Sequence, residues 1–465
     1  MTPSPPHQLT DGDAVFLSIE TPSSGGHVGA LMILEPAAAR PFDFDGLRDH
    51  IAARIALVPR FGWKLQPVLL GLDRPYWVEA EDFDPRAHVT RTAVPAPGSM
   101  QQLTALASRL HAQPLDRSRP LWEVWCIEGL EGGRVGVYLK THHCLVDGAG
   151  GTGLAEVLAD LGPDASSLPI VPEAFREAPP TAPGAVEIVT RAVRNGAERP
   201  LRLVEHLGRA LRDLVASRSE EATAVVERLS FNRTVGRRRA FATNSLELER
   251  VRDLKKHFDV KLNDVVLAIV GSAVHHWLRD RNELPEHPLV AMCPVSTRAG
   301  AEGLGNQITS MAVSLETDRP DPINRLRAIH ELSQRAKEAV SRGSFDWIAT
   351  LGESLVPAAA ALMVRLSDLA GDASPLPANF VVSNVRATPM PLYMNGARID
   401  SMMPMSMLAV GQGLNVTVVS YCDRIDVGII VDPELIPDPW ALAEYFPLAL
   451  EELELAAEGV IHRAG

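Results

Sequence analysis

The chain reads as an α/β protein built from two layered domains, and three observations predict this. With 465 residues it exceeds what one ordinary hydrophobic core accommodates. Strand-like and helix-like runs interleave in both halves, the pattern of sheets layered with helices. Between the halves, Pro163 to Pro183 shifts to Pro, Ala and Ser, and an arginine-rich helical stretch follows. The expected organisation is a first domain over 1–165, a linker and helical crossover over 166–236, and a second domain over 237–465.

In the first domain, Val28 to Leu34 predicts a strand, Phe44 to Ile55 a helix and Met100 to Ala112 another. Leu121 to Glu128 and Arg134 to Thr141 predict a strand pair joined by the glycine-rich turn Gly129 to Gly133, and Gly153 to Leu161 a short helix. Ala185 to Leu229 predicts helix, and twelve arginines face seven acidic residues between Ala185 and Ala240. Leu203, Val204, Leu207, Ala210, Leu211, Leu214 and Val215 recur at helical spacing, with Arg202, Arg209 and Arg212 elsewhere on the wheel. Such a helix either packs its stripe on the body or rests on an anionic bilayer. In the second domain, helices are predicted over Glu249 to Phe258, Asp264 to Asp280, Pro322 to Arg342 and Pro439 to Leu455. Strands are predicted over Leu289 to Pro294, Met311 to Leu315, Ala378 to Ser383, Leu414 to Tyr421 and Ile425 to Val431.

The 45 basic and 58 acidic residues give a net charge of −13, which excludes a general nucleic-acid binder and leaves polyanions to local basic patches. Cys126, Cys144, Cys293 and Cys422 are far apart, the usage of reduced thiols in a cytoplasmic protein. Met1 to Gln8 lacks a basic-then-apolar pattern, so no signal peptide is expected. No uninterrupted apolar run is long enough for a transmembrane helix. Peripheral contact with a membrane stays open.

The most informative stretch is Thr141-His142-His143-Cys144-Leu145-Val146-Asp147-Gly148. Val135, Val137, Leu139 and Thr141 alternate with Gly136, Tyr138 and Lys140 at the period of a pleated sheet. Continuing the alternation sends His143 inward with the valines and His142 to the face of Tyr138 and Lys140. An imidazole at a strand end, a carboxylate four residues on and a glycine turn suit general-base catalysis. A structural histidine remains the other reading. Metal ligation is weak, because no further His, Cys or Glu cluster completes a shell. Gly148, Gly150 and Gly153 spell the dinucleotide-binding spacing. Four residues separate them from the histidine, however, and no second buried strand ending in an acid follows. No GxSxG elbow supplies a serine nucleophile, and Cys144 reads as a small packing residue. Asn263-Asp264 stand where a helix cap would. Trp122 opens a strand and reads as a core anchor as readily as a substrate contact. Pro294-Val295-Ser296-Thr297-Arg298, with Gly305-Asn306 after it, is a polar loop leaving a buried strand.

Together these motifs resemble the bacterial wax ester synthase/diacylglycerol acyltransferase family, relatives of chloramphenicol acetyltransferase and the condensation domains. Leu9 to Phe16 and His27 to Leu31 look like its opening, Pro114 to Trp122 its PLW region and His142 to Gly148 its HHxxxDG motif. Phe231-Asn232, Arg237-Arg238-Arg239, Asn263-Asp264, Pro294 to Arg298, Ser383-Asn384-Val385, Pro391-Leu392-Tyr393 and Gly411 to Asn415 match later motifs in order. Arg386-Ala387 replaces the usual glycine-proline, and Asp423 a usual glycine.

The resemblance implies two chloramphenicol-acetyltransferase-like domains, mixed sheets flanked by helices, with an active-site tunnel at their interface. It implies transfer of a long-chain acyl group from acyl-CoA to diacylglycerol, forming triacylglycerol, with His143 as general base and His142 and Asp147 beside it. Asp147, projecting from a turn, is expected to hold the loop. Substrate contacts are expected from Trp122, Gly148, Asn263, Asp264, Ser296 and Arg298, and charge for the CoA phosphates from Arg237, Arg238 and Arg239. Acyl-CoA is a co-substrate, and neither cofactor nor metal is expected. Wax ester synthesis on a long-chain fatty alcohol is the alternative activity, and an inactive lipid-binding homologue the alternative outside enzymes. The expected location is cytoplasmic and peripheral to the inner membrane or lipid droplets. Oligomeric state is not legible.

Overall fold

A computed structural model of the chain describes residues 6–38, 41–145, 154, 157–164, 180–197, 199, 226–296, 308–341, 355–374 and 376–464. It is a mixed α/β protein with two six-stranded sheets and a small three-stranded one. In the first large sheet the order is Tyr393–Met394, Ala397–Met405, His27–Glu35, Val135–His142, Trp122–Glu128 and Val89–Ala93. The second runs Ile308–Ser314, Val290–Ser296, Phe380–Arg386, Leu414–Tyr421, Arg424–Val431 and Ala240–Glu247. Helices Leu248–Phe258, Leu262–Asp280, Pro322–Ser341 and Tyr445–Ala464 accompany the second sheet. They bury continuous apolar runs such as Val265 to Val270 against it.

The strand leading to the paired histidines sits inside its sheet and is buried along its whole length. Val135, Val137 and Leu139 enter one core and Tyr138 another. Both faces are covered, so alternation along this strand does not separate an inner from an outer side. The strand pairs antiparallel with His27–Glu35, placing His27 opposite His142. Helix Asp11–Ser18 lies near this strand end, its first turn satisfied by the Thr10 side chain, which accepts from Asp13 N–H at 3.0 Å. Helix Met100–His111 begins with a full capping box between Ser99 and Gln102.

Two strands of the first sheet, the short Tyr393–Met394 and the long Ala397–Met405, come from the other half of the chain. Ala397–Met405 pairs antiparallel with His27–Glu35, with a register shift between Ile399 and Ser401. The sequence of Ala397–Met405 holds Pro404 and no alternation, so sequence patterning predicts no strand there. Proline is tolerated because this stretch has a strand partner on one side only, Tyr393–Met394 covering just its start. Its other side faces the second sheet. Asp426 Oδ2 accepts from Met402 N–H at 2.7 Å, and a Cβ on Gly428 would lie 1.9 Å from the Pro404 carbonyl oxygen. The two sheets therefore meet backbone to backbone at a glycine.

Helix Pro357–Ala370 and strand Ala240–Glu247 are further elements without a sequence expectation, and the single helix expected over Pro439 to Leu455 is broken at Glu444. The Asp423 departure lies in the turn between Leu414–Tyr421 and Arg424–Val431, where Cys422 carries a φ of 51°. Within the expected helix Gly153 to Leu161, residues 153, 155 and 156 lie outside the described residues, as does most of the arginine-rich stretch beyond residue 199.

Candidate active site

The strand ends at His142, and His143 opens a turn. Burial runs opposite to the alternation reading: His142 is 1 % exposed, whereas His143 is half-buried. Backbone hydrogen bonds fix the joint. His142 N–H donates to Leu121 O at 3.0 Å, His143 N–H to Gly26 O at 2.8 Å and Leu145 N–H to His142 O at 2.9 Å. The His143 imidazole lies flat on the Phe16 ring, with centroids 3.8 Å apart and planes at 8°. The accessible imidazole of the pair is thus braced on one face by an apolar wall.

His142 points the other way. Its Nε2 is 3.1 Å from Glu20 Oε1, and its Nδ1 lies 3.1 Å from the Cys144 amide nitrogen. Glu20 also accepts from Gly26 N–H at 2.8 Å and pairs with Arg117. Burial pulls the Glu20 carboxyl upward. Hydrogen bonding and attraction to His142, the Arg117 charge and the Gly26 amide outweigh it and bring its pKa to about 2. Cys144 is fully buried, and burial pushes its thiol well above the usual range, which suits packing and not nucleophilic attack.

Behind the joint lies a buried polar cluster. His111 Nε2 donates to Ser406 O at 2.9 Å, and its Nδ1 is 2.7 Å from the Tyr138 hydroxyl. Burial, with help from the Lys140 charge, lowers the His111 pKa to about 3. Lys140 is itself fully buried. It donates to Leu110 O at 3.0 Å and to Gln113 O, closing the end of helix Met100–His111, and burial lowers its pKa to about 8 against the pull of Glu123 and Glu20.

The other sequence candidates are dispersed. Trp122 is fully buried, donating from Nε1 to Phe61 O at 2.8 Å and stacking on His88 at 4.6 Å, and packing accounts for these contacts. Asp264 is buried at the start of helix Leu262–Asp280, accepting from Lys261 N–H at 2.9 Å and lying 2.6 Å from His330 Nδ1. That is the reciprocal half of a helix cap. Asn263 accepts from Asn384 Nδ2 at 3.3 Å, tying the helix start to strand Phe380–Arg386. Arg239 is tied to backbone, donating to Gly236 O and Arg238 O at 2.7 Å each and to Ser23 O, while Arg237 and Arg238 are exposed. Ser296 ends strand Val290–Ser296. Asp147, Gly148 and Arg298 lie outside the described residues. Phe16 and Glu20 carry no role in the sequence reading. The one local signal for them is Gly25-Gly26 before a strand, which marks close backbone approach.

Beside the same segment, Ile19 and Ser24 join Met363, Leu376, Met407 and Val410 around a mainly apolar cavity of about 440 Å³. Its lining draws on both halves of the chain, and its size falls among small-molecule sites. Among the described residues no group of His, Cys, Asp or Glu side chains is arranged to hold a metal ion. No described helix is long and apolar enough to cross a membrane.

The sequence model of the wax ester synthase/diacylglycerol acyltransferase catalytic domain matches residues 9–266. The chain belongs to this family. The family's C-terminal domain matches residues 304–454. A Mycobacterium tuberculosis protein named as a diacylglycerol O-acyltransferase is 36 % identical, over 96 % of this chain and 90 % of the relative. The O-acyltransferase WSD of Acinetobacter baylyi is 32 % identical, over 97 % of this chain and 96 % of that protein. The wax ester synthase/diacylglycerol acyltransferase of Marinobacter aquaeolei VT8 has a similar structure. Its TM-score is 0.70 at 28 % identity, covering 97 % of this chain and all (100 %) of that one. The first condensation domain of the calcium-dependent antibiotic synthetase shares the fold, with a TM-score of 0.59 at 17 % identity over 97 % of this chain and 96 % of that one. The family expectation from the motifs therefore holds: the chain is an O-acyltransferase with acyl-CoA as co-substrate.

Proposed function

We propose that the chain transfers a long-chain acyl group from acyl-CoA to diacylglycerol, forming triacylglycerol, with His143 as general base. The observation that carries this reading is the half-buried His143 imidazole stacked on Phe16, on the same segment that walls the apolar cavity. The acceptor hydroxyl gives its proton to the imidazole as its oxygen attacks the thioester carbonyl. The tetrahedral intermediate then collapses, the C–S bond breaks, and the departing CoA sulfur takes the proton back from the imidazolium. An alcohol is about as weak an acid as water, so proton removal is concerted with attack. Such base catalysis contributes about 10²–10⁴-fold, and alignment of both substrates in a dry cleft supplies more. No covalent acyl-enzyme is needed.

Diacylglycerol is favoured as acceptor by the names of the mycobacterial relatives. Turnover of the purified protein on diacylglycerol and on hexadecanol, with one acyl-CoA donor, tests this. Release of CoA on hexadecanol alone would make it a wax ester synthase, and equal rates a dual-specificity enzyme. Binding of acyl-CoA with no CoA released on either acceptor would favour an inactive lipid-binding homologue. Asp147 holds the loop after His143, and the exposed Arg237 and Arg238 meet the CoA phosphates.

The protein works at a lipid surface. Support comes from apolar side chains exposed on three joined segments. Leu69 and Leu70 are each 76 % exposed, helix 185–197 presents Val186, Val189 and Val193, and helix Pro357–Ala370 presents Leu362, Leu366 and Leu369. Asp73 accepts from Asn195 and Arg199 at 2.8 Å each, Arg199 also donates to Leu355 O at 2.9 Å, and Gly71 adjoins Ala358. Exposed Arg194 and Arg365 sit on these helices where anionic headgroups would meet them. Met363 of the same helix lines the cavity, which gives an apolar acceptor a short way in.

A further inference from the structure

We propose that Glu20 is a positioning residue for acyl transfer: by its bonds to His142 and Gly26 it clamps the backbone on both sides of His143. The inference rests on reading His143 as the base.

Glu20 gathers three donors in one place. Gly26 N–H is 2.8 Å from Oε1, His142 Nε2 is 3.1 Å from the same oxygen, and Arg117 meets Oε2 while also donating to Leu17 O at 3.1 Å. The tautomer of His142 follows from its other nitrogen. A backbone amide can only donate, and Cys144 N–H lies 3.1 Å from Nδ1, so Nδ1 is bare and the ring proton sits on Nε2, directed at Glu20. The next link is His143 itself. Its own N–H is held by Gly26 O at 2.8 Å, and the amide on its far side, Cys144 N–H, is held by His142 Nδ1. Both groups that hold it are held by Glu20. Gly26 leaves no slack, because a Cβ there would fall 2.8 Å from His142 Nε2 and 3.0 Å from Glu20 Cγ.

Without a carboxylate at position 20, the Nε2–H of His142 and the Gly26 N–H lose their common acceptor. His142 is then free to take the other tautomer, which turns a donor against the Cys144 amide and loosens the turn that carries His143. Glutamine would keep an amide oxygen for both donors and lose the charge and the acceptor that face the half-exposed Arg117.

The test combines kinetics with a direct reading of the ring. Glu20→Ala, Glu20→Gln and His143→Ala are assayed with acyl-CoA and diacylglycerol, and the His142 tautomer is read by NMR of ¹⁵N-histidine-labelled full-length protein. Glu20→Ala is expected to lower kcat by about 10- to 100-fold with both KM values within about twofold of wild type, since only geometry is lost. Glu20→Gln is expected to recover kcat to within about fivefold of wild type. Wild type and Glu20→Gln should show His142 protonated on Nε2, and Glu20→Ala a mixture of tautomers. Wild-type kcat in Glu20→Ala beside an inactive His143→Ala overturns the inference alone, whereas an active His143→Ala overturns the base reading. Glu20→Gln as slow as Glu20→Ala overturns the hydrogen-bond clamp. Should neither variant fold, wild-type His142 protonated on Nδ1 overturns the inference and protonated on Nε2 supports it.

Discussion

Phe16 and His143 lie face to face, with ring centroids 3.8 Å apart and planes inclined by 8°. Helix Asp11–Ser18 thereby sets the orientation of an imidazole far away in sequence. Phe16→Ala removes that wall, and kcat is expected to fall by about 10- to 100-fold while Phe16→Leu loses less. Steady-state kinetics check it. Truncating this buried ring also costs on the order of 3 kcal/mol of stability, readable by denaturant unfolding.

Cys144 adjoins the base yet is fully buried with its thiol held well up the pH scale. Cys144→Ala is expected to keep at least about a tenth of wild-type kcat, because packing and not nucleophilic attack is its task. A loss of several orders of magnitude, or an acyl group recovered on Cys144 after quenching, would indicate a covalent route.

The motifs around His142 and His143 were readable because family pattern and strand period coincide there. Burial was not, since period 2 assigns sides but cannot tell that both sides of Val135–His142 are covered. Trp122 and Asp264 have packing and capping contacts, as their residue types allow. No local pattern points to Glu20, because its partner His142 is 122 residues away. Ala397–Met405 is not legible as a strand for a different reason. Pro404, three methionines and a register shift carry no alternation, and the strand exists because His27–Glu35 offers an edge and Asp426 satisfies Met402 N–H.

Acid sensitivity should trace in part to His111. Burial lowers its pKa from 6.5 to about 3, so the unfolded chain binds a proton there that the folded one does not. Its neutral form therefore contributes stability that is fully present above about pH 6.5 and is lost as pH falls toward 3. The size is on the order of a few kcal/mol. His111→Gln is expected to flatten the dependence of Tm on pH within that window, at some cost in stability at neutral pH.

The sheet junction depends on Gly428, where a Cβ would fall 1.9 Å from Pro404 O. Gly428→Ala is expected to destabilise by about 3 kcal/mol or more, since neither backbone can yield alone. Asp426→Ala leaves the Met402 amide without its acceptor and should cost about 1–3 kcal/mol. Denaturant titration of both variants gives the comparison.

Lipid contact is expected to run through Leu362, Leu366 and Leu369. Replacing all three with serine should reduce co-flotation with anionic phosphatidylglycerol vesicles by about tenfold. CoA release from detergent-dispersed substrates should stay within about twofold. Unchanged flotation would remove this face from the account.

The most direct test of the central claim is single-turnover acyl transfer by His143→Ala, with wild-type protein, long-chain acyl-CoA and diacylglycerol alongside. The account predicts a transfer rate lower by about 10²–10⁴-fold with acyl-CoA binding retained. Transfer near the wild-type rate would contradict it.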